Sequence, residues 1–241
     1  MFKVKKLILN GHLQGTKLIA NEYIFVNSTG LESLVPHNLA NGKKKLTLFF
    51  THANGFSKEL WIPIITRLSN ILADDQRFDR AIAVDYVPFG DSAIANRDYF
   101  ANNSYKCSML NYSRDVVATY GLYKTENPNK NTAASDKAAA IPSHIYKLKC
   151  DPIHEAGTFN GGYDSSSFTN SRLEQVLCPV LFVRARQTNL MYSMEQALEY
   201  VSKFRNIEFK IAEDCGHLFI MEVPDIATEL IVNFLDKHNQ L

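Results

Sequence analysis

The stretch LTLFFTHANGFSKELW, residues 46–61, combines a short apolar run, a turn and the start of a helical pattern. The apolar run at residues 46–50 has the composition of a buried parallel strand. Apolar residues then recur at helical spacing over residues 60–72. A strand followed by a helix is the repeating unit of a parallel sheet covered by helices. This stretch therefore predicts an α/β fold.

The strand-and-helix unit recurs along the chain. Two further apolar runs resemble buried strands, and a third alternates apolar and polar residues as an edge strand does. Such alternation predicts an α/β, doubly wound, mostly parallel sheet with helices on both faces, preceded by an antiparallel pair in the first forty residues. The predicted strands are residues 18–26, 81–84, 180–183 and, at the edge, 207–211, and the further helices are residues 194–204 and 225–235.

Length and composition restrict the class of protein. The 241 residues suffice for one domain with a full core, and 46% hydrophobic with 21% charged residues is ordinary for a globular protein. A net charge of +1 gives no field to attract nucleic acid, so no nucleic-acid partner is expected. No stretch has the length of an integral membrane segment. Neither metal-site nor disulfide-framework spacing is found among Cys107, Cys150, Cys178 and Cys215, and no cofactor is expected.

Three motifs follow predicted strands in order. Residues 52–56 read HANGF, residues 85–92 read DYVPFGDS, and residues 216–224 read GHLFIMEVP. Together they resemble the α/β-hydrolase superfamily: an oxyanion loop, a D-x-x-x-x-G-x-S loop, and the loop carrying the catalytic histidine. The residues of the three motifs are most similar to those of fungal peroxisomal lipase or esterase-type proteins and of hydrolase-like proteins of fungal toxin pathways. The resemblance covers residues 18–122 and 175–238.

The resemblance implies acyl transfer at an ester, with His217 as the catalytic base. Histidine suits this role because its unperturbed pKa lies near neutrality. It implies a structural part for Asp85, Gly90 and Ser92, which would fix the geometry of their loop. It also implies backbone amides that stabilise a developing oxyanion, chiefly the amide of Asn54. The implied oxyanion-hole residues are Ala53, Asn54, Gly55 and Phe56.

The nucleophile elbow of the family, G-x-S-x-G, is not found in the sequence. Gly55-Phe56-Ser57 begins the pattern, but Glu59 stands at the position of the second glycine, and the run from Gly90 fails in the same way at Ile94. The nucleophile therefore stays unknown. Stand-in candidates, in a loop rich in small polar residues, are Ser165, Ser166 and Ser167.

The triad acid is also unknown. The loop after the penultimate strand, residues 184–187, has no carboxylate. Relative to the family, the chain lacks two central strands, a helix and the cap. We interpret residues 1–241 as one α/β-hydrolase-like domain with an N-terminal half at 18–122, a linker and cap remnant at 123–174 and a C-terminal half at 175–238. Missing strands leave unpaired edges, so residues 180–183 are expected to pair directly with the first half.

Three functional hypotheses remain open. The chain is an esterase or lipase-type hydrolase whose partner is a small acyl ester, or a catalytically inactive, truncated family member that binds a ligand or regulates a partner. Alternatively, it is a shortened splice form or gene model of an active serine hydrolase. The scattered cysteines fit a reducing compartment. Location is expected to be cytoplasmic or peroxisomal, since Asn239-Gln240-Leu241 only distantly resembles the S-K-L signal.

Overall fold

The structure is a computed structural model that describes residues 1–30, 46–72, 78–103, 105, 111–116, 176–188 and 193–238. The predicted linker and cap remnant at residues 123–174 lies outside the described residues. The same holds for the serine candidates and for the last three residues of the chain: Ser165, Ser166, Ser167, Asn239, Gln240 and Leu241.

The strands and helices predicted from the sequence are confirmed within a few residues. Pro224 occupies the first turn of the last helix, where its missing amide costs nothing. The strands are β1 (Phe2–Asn10), β2 (Lys17–Phe25), β3 (Leu46–Thr51), β4 (Phe78–Val84), β5 (Val180–Ala185) and β6 (Ile207–Ala212). The helices are a 3-10 turn (Lys58–Trp61), α1 (Ile62–Leu72), α2 (Gly90–Ala95), α3 (Arg97–Asn102), α4 (residues 111–116), α5 (Met194–Val201), α6 (Phe219–Glu222) and α7 (Pro224–Lys237).

The described strands form mixed sheets and not mostly parallel ones, and the antiparallel pair predicted in the first forty residues is confirmed as β1 and β2. The first sheet has the order β1-β2-β4-β3, in which β3 and β4 are parallel while β1–β2 and β2–β4 are antiparallel. The antiparallel part arises because β2 lies directly beside β4, with Ala20 opposite Val84. Leu18 and Ala20 of β2 are both fully buried there. The N-terminal hairpin is therefore part of the core and not a peripheral addition to the sheet.

Strand β4 separates two cores, and helices cover both faces as predicted. Because successive side chains of a strand point to opposite faces, Ala81 and Ala83 contribute to one core and Ile82 and Val84 to the other. The first core is covered by α1 and α7, and the second is covered by α3 through Phe100.

The expected direct pairing of residues 180–183 with the first half is not found among the described strands. Strand β5 pairs in parallel with β6, and these two form a separate sheet. Helix packing joins the halves instead: Ala227 of α7 is buried in the core that α1 covers, and Arg67 of α1 forms an ion pair with Asp225. A helix can satisfy its own backbone hydrogen bonds, so this contact needs no strand register. No described helix has the length and hydropathy to span a membrane.

Candidate functional site

The carboxylate of Asp85, fully buried at the end of β4, organises the D-x-x-x-x-G-x-S loop. Its Oδ1 accepts a hydrogen bond from the Lys58 amide at 2.7 Å, and its Oδ2 accepts from Lys58 Nζ and the Asp91 amide, each at 2.8 Å. Ser92 Oγ donates to the Asp85 carbonyl at 2.9 Å and accepts from the Ile19 amide at 2.8 Å. These bonds tie the loop to β2 and to the start of the 3-10 turn.

Residue 90 must be glycine because of its backbone conformation and its close approach to Asp85. Its φ is +53°, in the left-handed region that favours glycine. A Cβ at this position would lie 2.3 Å from Asp85 Oδ2. The glycine of the motif therefore allows the buried carboxylate to reach its donors, and the structural role predicted for Asp85, Gly90 and Ser92 is confirmed by their contacts.

Lys58 is a fully buried cation that was not predicted from the sequence. Its ammonium contacts three carboxylates, those of Asp85 at 2.8 Å, Asp91 at 2.9 Å and Glu59 at 2.8 Å. Burial acts to lower the pKa of Lys58, but the charge of Asp85 and the hydrogen bonds to the three carboxylates outweigh it and raise the pKa. A buried lysine paired in this way holds the polypeptide that follows residues 53–56 against the end of β4.

His52 positions the turn that follows β3. Its Nδ1–H donates to the Ala53 carbonyl at 2.8 Å, and its Nε2 accepts from the Tyr86 amide at 3.2 Å. The ring also packs against Tyr86 and Phe89. Burial is the largest cause of a lowered pKa at His52, so the imidazole is neutral in the folded protein. With both ring nitrogens engaged, His52 is a structural residue.

The predicted oxyanion-hole residues form a tight turn. The Phe56 amide donates to the Ala53 carbonyl at 3.2 Å, and Gly55 adopts a φ of +80°. No described residue accepts a hydrogen bond from the Asn54 amide. The turn thus uses the amide of Phe56 for its own closure and leaves that of Asn54 as the candidate donor to a ligand oxygen.

The loop between β6 and α6 presents His217 to solvent. Glu222 lies at the end of α6, and its carboxylate accepts hydrogen bonds from the Gly216 amide at 2.7 Å and the Leu218 amide at 3.2 Å. The two amides flank His217 in the chain, so one carboxylate fixes the backbone on both sides of the imidazole. The spacing of glycine, histidine and glutamate in the motif is explained by this contact.

The partner of His217 is a hydroxyl group. Nδ1 of His217 lies 3.0 Å from Oγ1 of Thr188, which follows β5. Thr188 is held in turn by buried Arg184, whose guanidinium donates to the Thr188 carbonyl at 3.4 Å. Thr188 directly follows residues 184–187, the loop in which a carboxylate partner was expected. Its position after β5 was the only signal in the sequence, since threonine does not indicate a catalytic partner.

A cavity of about 130 Å³ lies beside His217. Its described lining is mainly apolar, and two of its polar residues, Thr188 and His217, contact each other. The described lining residues are Phe182, Val183, Arg184, Ala185, Thr188, Ala197, His217 and Phe219.

A second histidine–carboxylate pair joins the β1–β2 hairpin to α4. His12 Nδ1 lies 2.7 Å from Asp115 Oδ1, and the His12 amide donates to the same oxygen at 3.0 Å. Burial is the largest cause of a raised pKa at Asp115, and the contacts of His12 act against it. The two residues are 103 positions apart in sequence, so local pattern gave no signal for the pair.

Within the described part of the chain, no hydrogen bond joins residues 53–56 to His217, whose described partner is Thr188. No group of three histidine, cysteine, aspartate or glutamate side chains among the described residues could hold a metal ion.

The loops that follow β3, β4 and β6 occur in the order typical of α/β-hydrolases, and the chain has the α/β-hydrolase fold. The peroxisomal α/β-hydrolase Lpx1 of Saccharomyces cerevisiae matches with a TM-score of 0.66 at 15% identity, over 98% of this chain and 89% of that chain. A serine hydrolase of Cycloclasticus zankles matches at 0.60 and 11% identity, over 97% and 98% of the two chains.

The carboxylesterase CesB of Bacillus subtilis matches with a TM-score of 0.54 at 13% identity, over 97% of this chain and 92% of that chain. Identities this low establish a shared fold and nothing finer. No family model matches the sequence. No curated protein matches it either.

Proposed function

We propose that the protein hydrolyses small acyl esters with His217 as its general base. The observation that carries this proposal is the contact of His217 Nδ1 with Thr188 Oγ1, in a loop that Glu222 fixes on both sides. An accepting hydroxyl at Nδ1 selects the tautomer in which Nε2 can take a proton. The likeness of the fold to esterases supports an ester as the substrate class.

The mechanism that fits these residues uses water as the nucleophile, because the sequence has no G-x-S-x-G elbow. The water oxygen forms a bond to the ester carbonyl carbon while its proton passes to His217 Nε2. The resulting oxyanion accepts a hydrogen bond from the Asn54 amide. When the intermediate collapses, the C–O bond to the alcohol breaks and the leaving oxygen takes the proton from Nε2. The products are a carboxylic acid and an alcohol.

A second candidate is a binding or regulatory protein without turnover. The observation that favours it is the neutral character of Thr188, because an acid at this position stabilises the imidazolium formed during catalysis and a hydroxyl does so far less. Under this candidate the loop and cavity would retain a ligand. A shortened form of an active serine hydrolase would behave in the same way, and an intact mass above 27.3 kDa in the native source would reveal the longer form.

Hydrolysis of p-nitrophenyl butyrate by purified protein tests the proposal. We expect His217→Ala to lower kcat by a factor of about 10²–10⁴, the usual contribution of a general base. His238→Ala is the matched control, because His238 lies at the end of α7 and contacts Phe234. Absence of hydrolysis in the wild-type protein would leave the binding candidate.

Labelling with a serine-reactive fluorophosphonate separates the nucleophiles. We expect no stoichiometric adduct by mass spectrometry, because water is the proposed nucleophile. An adduct lost in His217→Ala would instead identify a serine nucleophile and overturn the water mechanism. Mapping that adduct would test Ser165, Ser166 and Ser167 directly. A cytoplasmic or peroxisomal location is likewise proposed, and the likeness to a peroxisomal hydrolase supports cell fractionation as its test.

A further inference from the structure

The cavity beside His217 lies along the edge of β5. Four consecutive residues of this strand line it: Phe182, Val183, Arg184 and Ala185. Successive side chains of a strand point to opposite faces, so a space that contacts all four follows the strand edge and reaches both faces. The other edge of β5 is occupied by β6. Among the described residues, the cavity therefore lies along the edge of β5 opposite β6.

The cavity has an apolar body and a polar end. Phe182, Val183, Ala197 and Phe219 contribute apolar walls, drawn from both faces of the strand, from α5 and from α6. Thr188 and His217 lie at the carboxyl end of β5, where the two side chains contact each other. A ligand that fits this shape has a small apolar group and, at one end, an atom that accepts or donates a hydrogen bond.

The volume of the cavity limits the apolar group. An apolar cavity of about 150 Å³ admits a molecule the size of benzene. Pockets that hold larger ligands measure about 300–1,000 Å³. At about 130 Å³, the cavity is large enough for a chain of about four carbons and too small for a fatty acyl chain.

We propose that this cavity is the acyl-binding site of the protein and selects short, unbranched acyl groups of about four carbons. The carbonyl lies at the end formed by His217 and Thr188, and the alkyl chain follows the β5 edge between Phe182 and Ala197. This inference rests on the proposed hydrolysis for its reaction, but the binding that it describes needs no turnover.

Binding of non-hydrolysable amides tests the selectivity. Acetamide, butyramide and octanamide are titrated into the wild-type protein, and the imidazole proton resonance of His217, assigned by its loss in His217→Gln, is followed by NMR. We expect affinity to rise about fourfold per methylene from acetamide to butyramide, the effect of burying one methylene. Octanamide should bind more weakly than butyramide. Equal or tighter binding of octanamide would overturn the size limit.

Filling the cavity tests its location. Ala197 is 2% exposed and lines the cavity, whereas its neighbour Leu198 is 49% exposed on the same helix. We expect Ala197→Leu to weaken butyramide binding at least tenfold and Leu198→Phe to leave it unchanged. Ala197→Val, a smaller change that the core tolerates more readily, should give an intermediate loss. Unchanged binding in both folded Ala197 variants would place the ligand elsewhere.

Hydrolysis of p-nitrophenyl butyrate, measured on the same proteins, keeps the two proposals distinguishable. Butyramide binding that Ala197→Leu removes, together with no hydrolysis, supports the site and rejects the proposed catalysis. Hydrolysis that depends on His217 but is unaffected by Ala197→Leu supports the catalysis and rejects the site. Loss of both binding and hydrolysis in Ala197→Leu, with both retained in Leu198→Phe, supports the two proposals together.

Discussion

Gly216 and Glu222 fit each other at hydrogen-bond distance: the Gly216 amide donates to Glu222 Oε2 at 2.7 Å, and a Cβ on residue 216 would lie 2.9 Å from Glu222 Oε1. Any side chain at residue 216 would displace the carboxylate that also holds the Leu218 amide. The contact between Gly216 and Glu222 therefore fixes the backbone conformation next to His217 without touching the His217 imidazole.

Glu222→Gln should disturb the geometry of His217 more than the stability of the fold. An amide side chain offers one accepting oxygen where the carboxylate offers two, so one of the two backbone donors loses its partner. We expect the free energy of unfolding to fall by about 1 kcal/mol. The His217 imidazole resonance should shift and ester hydrolysis should fall. The control is Glu229→Gln, an exposed residue of α7. Identical His217 resonances in both variants would contradict the positioning role.

Asp85→Asn should destabilise the protein strongly, because it removes the main counter-charge of buried Lys58. Breaking a buried ion pair by removing one partner costs about 3–5 kcal/mol, and urea unfolding measures the loss. Asp225→Asn is the matched control, since Asp225 pairs with Arg67 at the surface. Exposed pairs contribute little, so its unfolding midpoint should be unchanged. A comparable loss in both variants would show that burial of the charge is not the cause.

Gly90→Ala and Gly30→Ala separate steric clash from backbone strain. Both glycines have positive φ, +53° and +80°, but a Cβ at Gly30 meets nothing within 4 Å, whereas at Gly90 it would meet the Asp85 carboxylate. Strain alone costs about 1–2 kcal/mol. We expect that loss for Gly30→Ala and a loss of about 4 kcal/mol or more for Gly90→Ala, since the Asp85 network must also move. Equal losses would remove the steric explanation.

The strands and the helix-forming segments could be predicted from the sequence because they depend on local periodicity. Residues 46–50 and 81–84 lie in β3 and β4 for this reason. The loop from Asp85 to Ser92 was also predictable, because glycine and serine at fixed spacing are requirements of its backbone.

Contacts between distant residues could not be predicted. A lysine next to a glutamate is read as exposed, yet Lys58 is buried because Asp85 and Asp91 meet it from another part of the chain. The pairs His217–Thr188 and His12–Asp115 likewise depend on tertiary structure. The separate β5–β6 sheet was missed for the same reason, since strand composition does not specify the neighbouring strand.

Acid should destabilise the protein through His52. The folded-state pKa of His52 lies below the ordinary value of 6.5, so the unfolded chain binds the proton more readily. The resulting stability is complete above about pH 6.5 and is lost as the pH falls toward the lowered folded-state pKa. One proton accounts for at most about 2 kcal/mol between pH 6.5 and pH 5.

His52→Gln tests this assignment, because an amide keeps a donor and an acceptor but does not titrate. Urea unfolding at pH 7.5 and pH 5 should show a smaller acid-induced loss in His52→Gln than in the wild-type protein. Parallel losses in the two proteins would assign the acid sensitivity instead to carboxylates whose folded-state pKa is lowered, such as Glu59.

Thr188→Asp should raise ester hydrolysis if the neutral hydroxyl limits His217 as a base. A carboxylate at this position would hold the Nδ1 proton of His217 and stabilise the imidazolium that forms when Nε2 takes a proton from water. We therefore expect a higher kcat for p-nitrophenyl butyrate. The Thr188→Asn side chain has nearly the same shape as that of Thr188→Asp without the charge, and it should show no such increase. If Thr188→Asp and Thr188→Asn behave alike, the charge of the His217 partner does not limit the reaction.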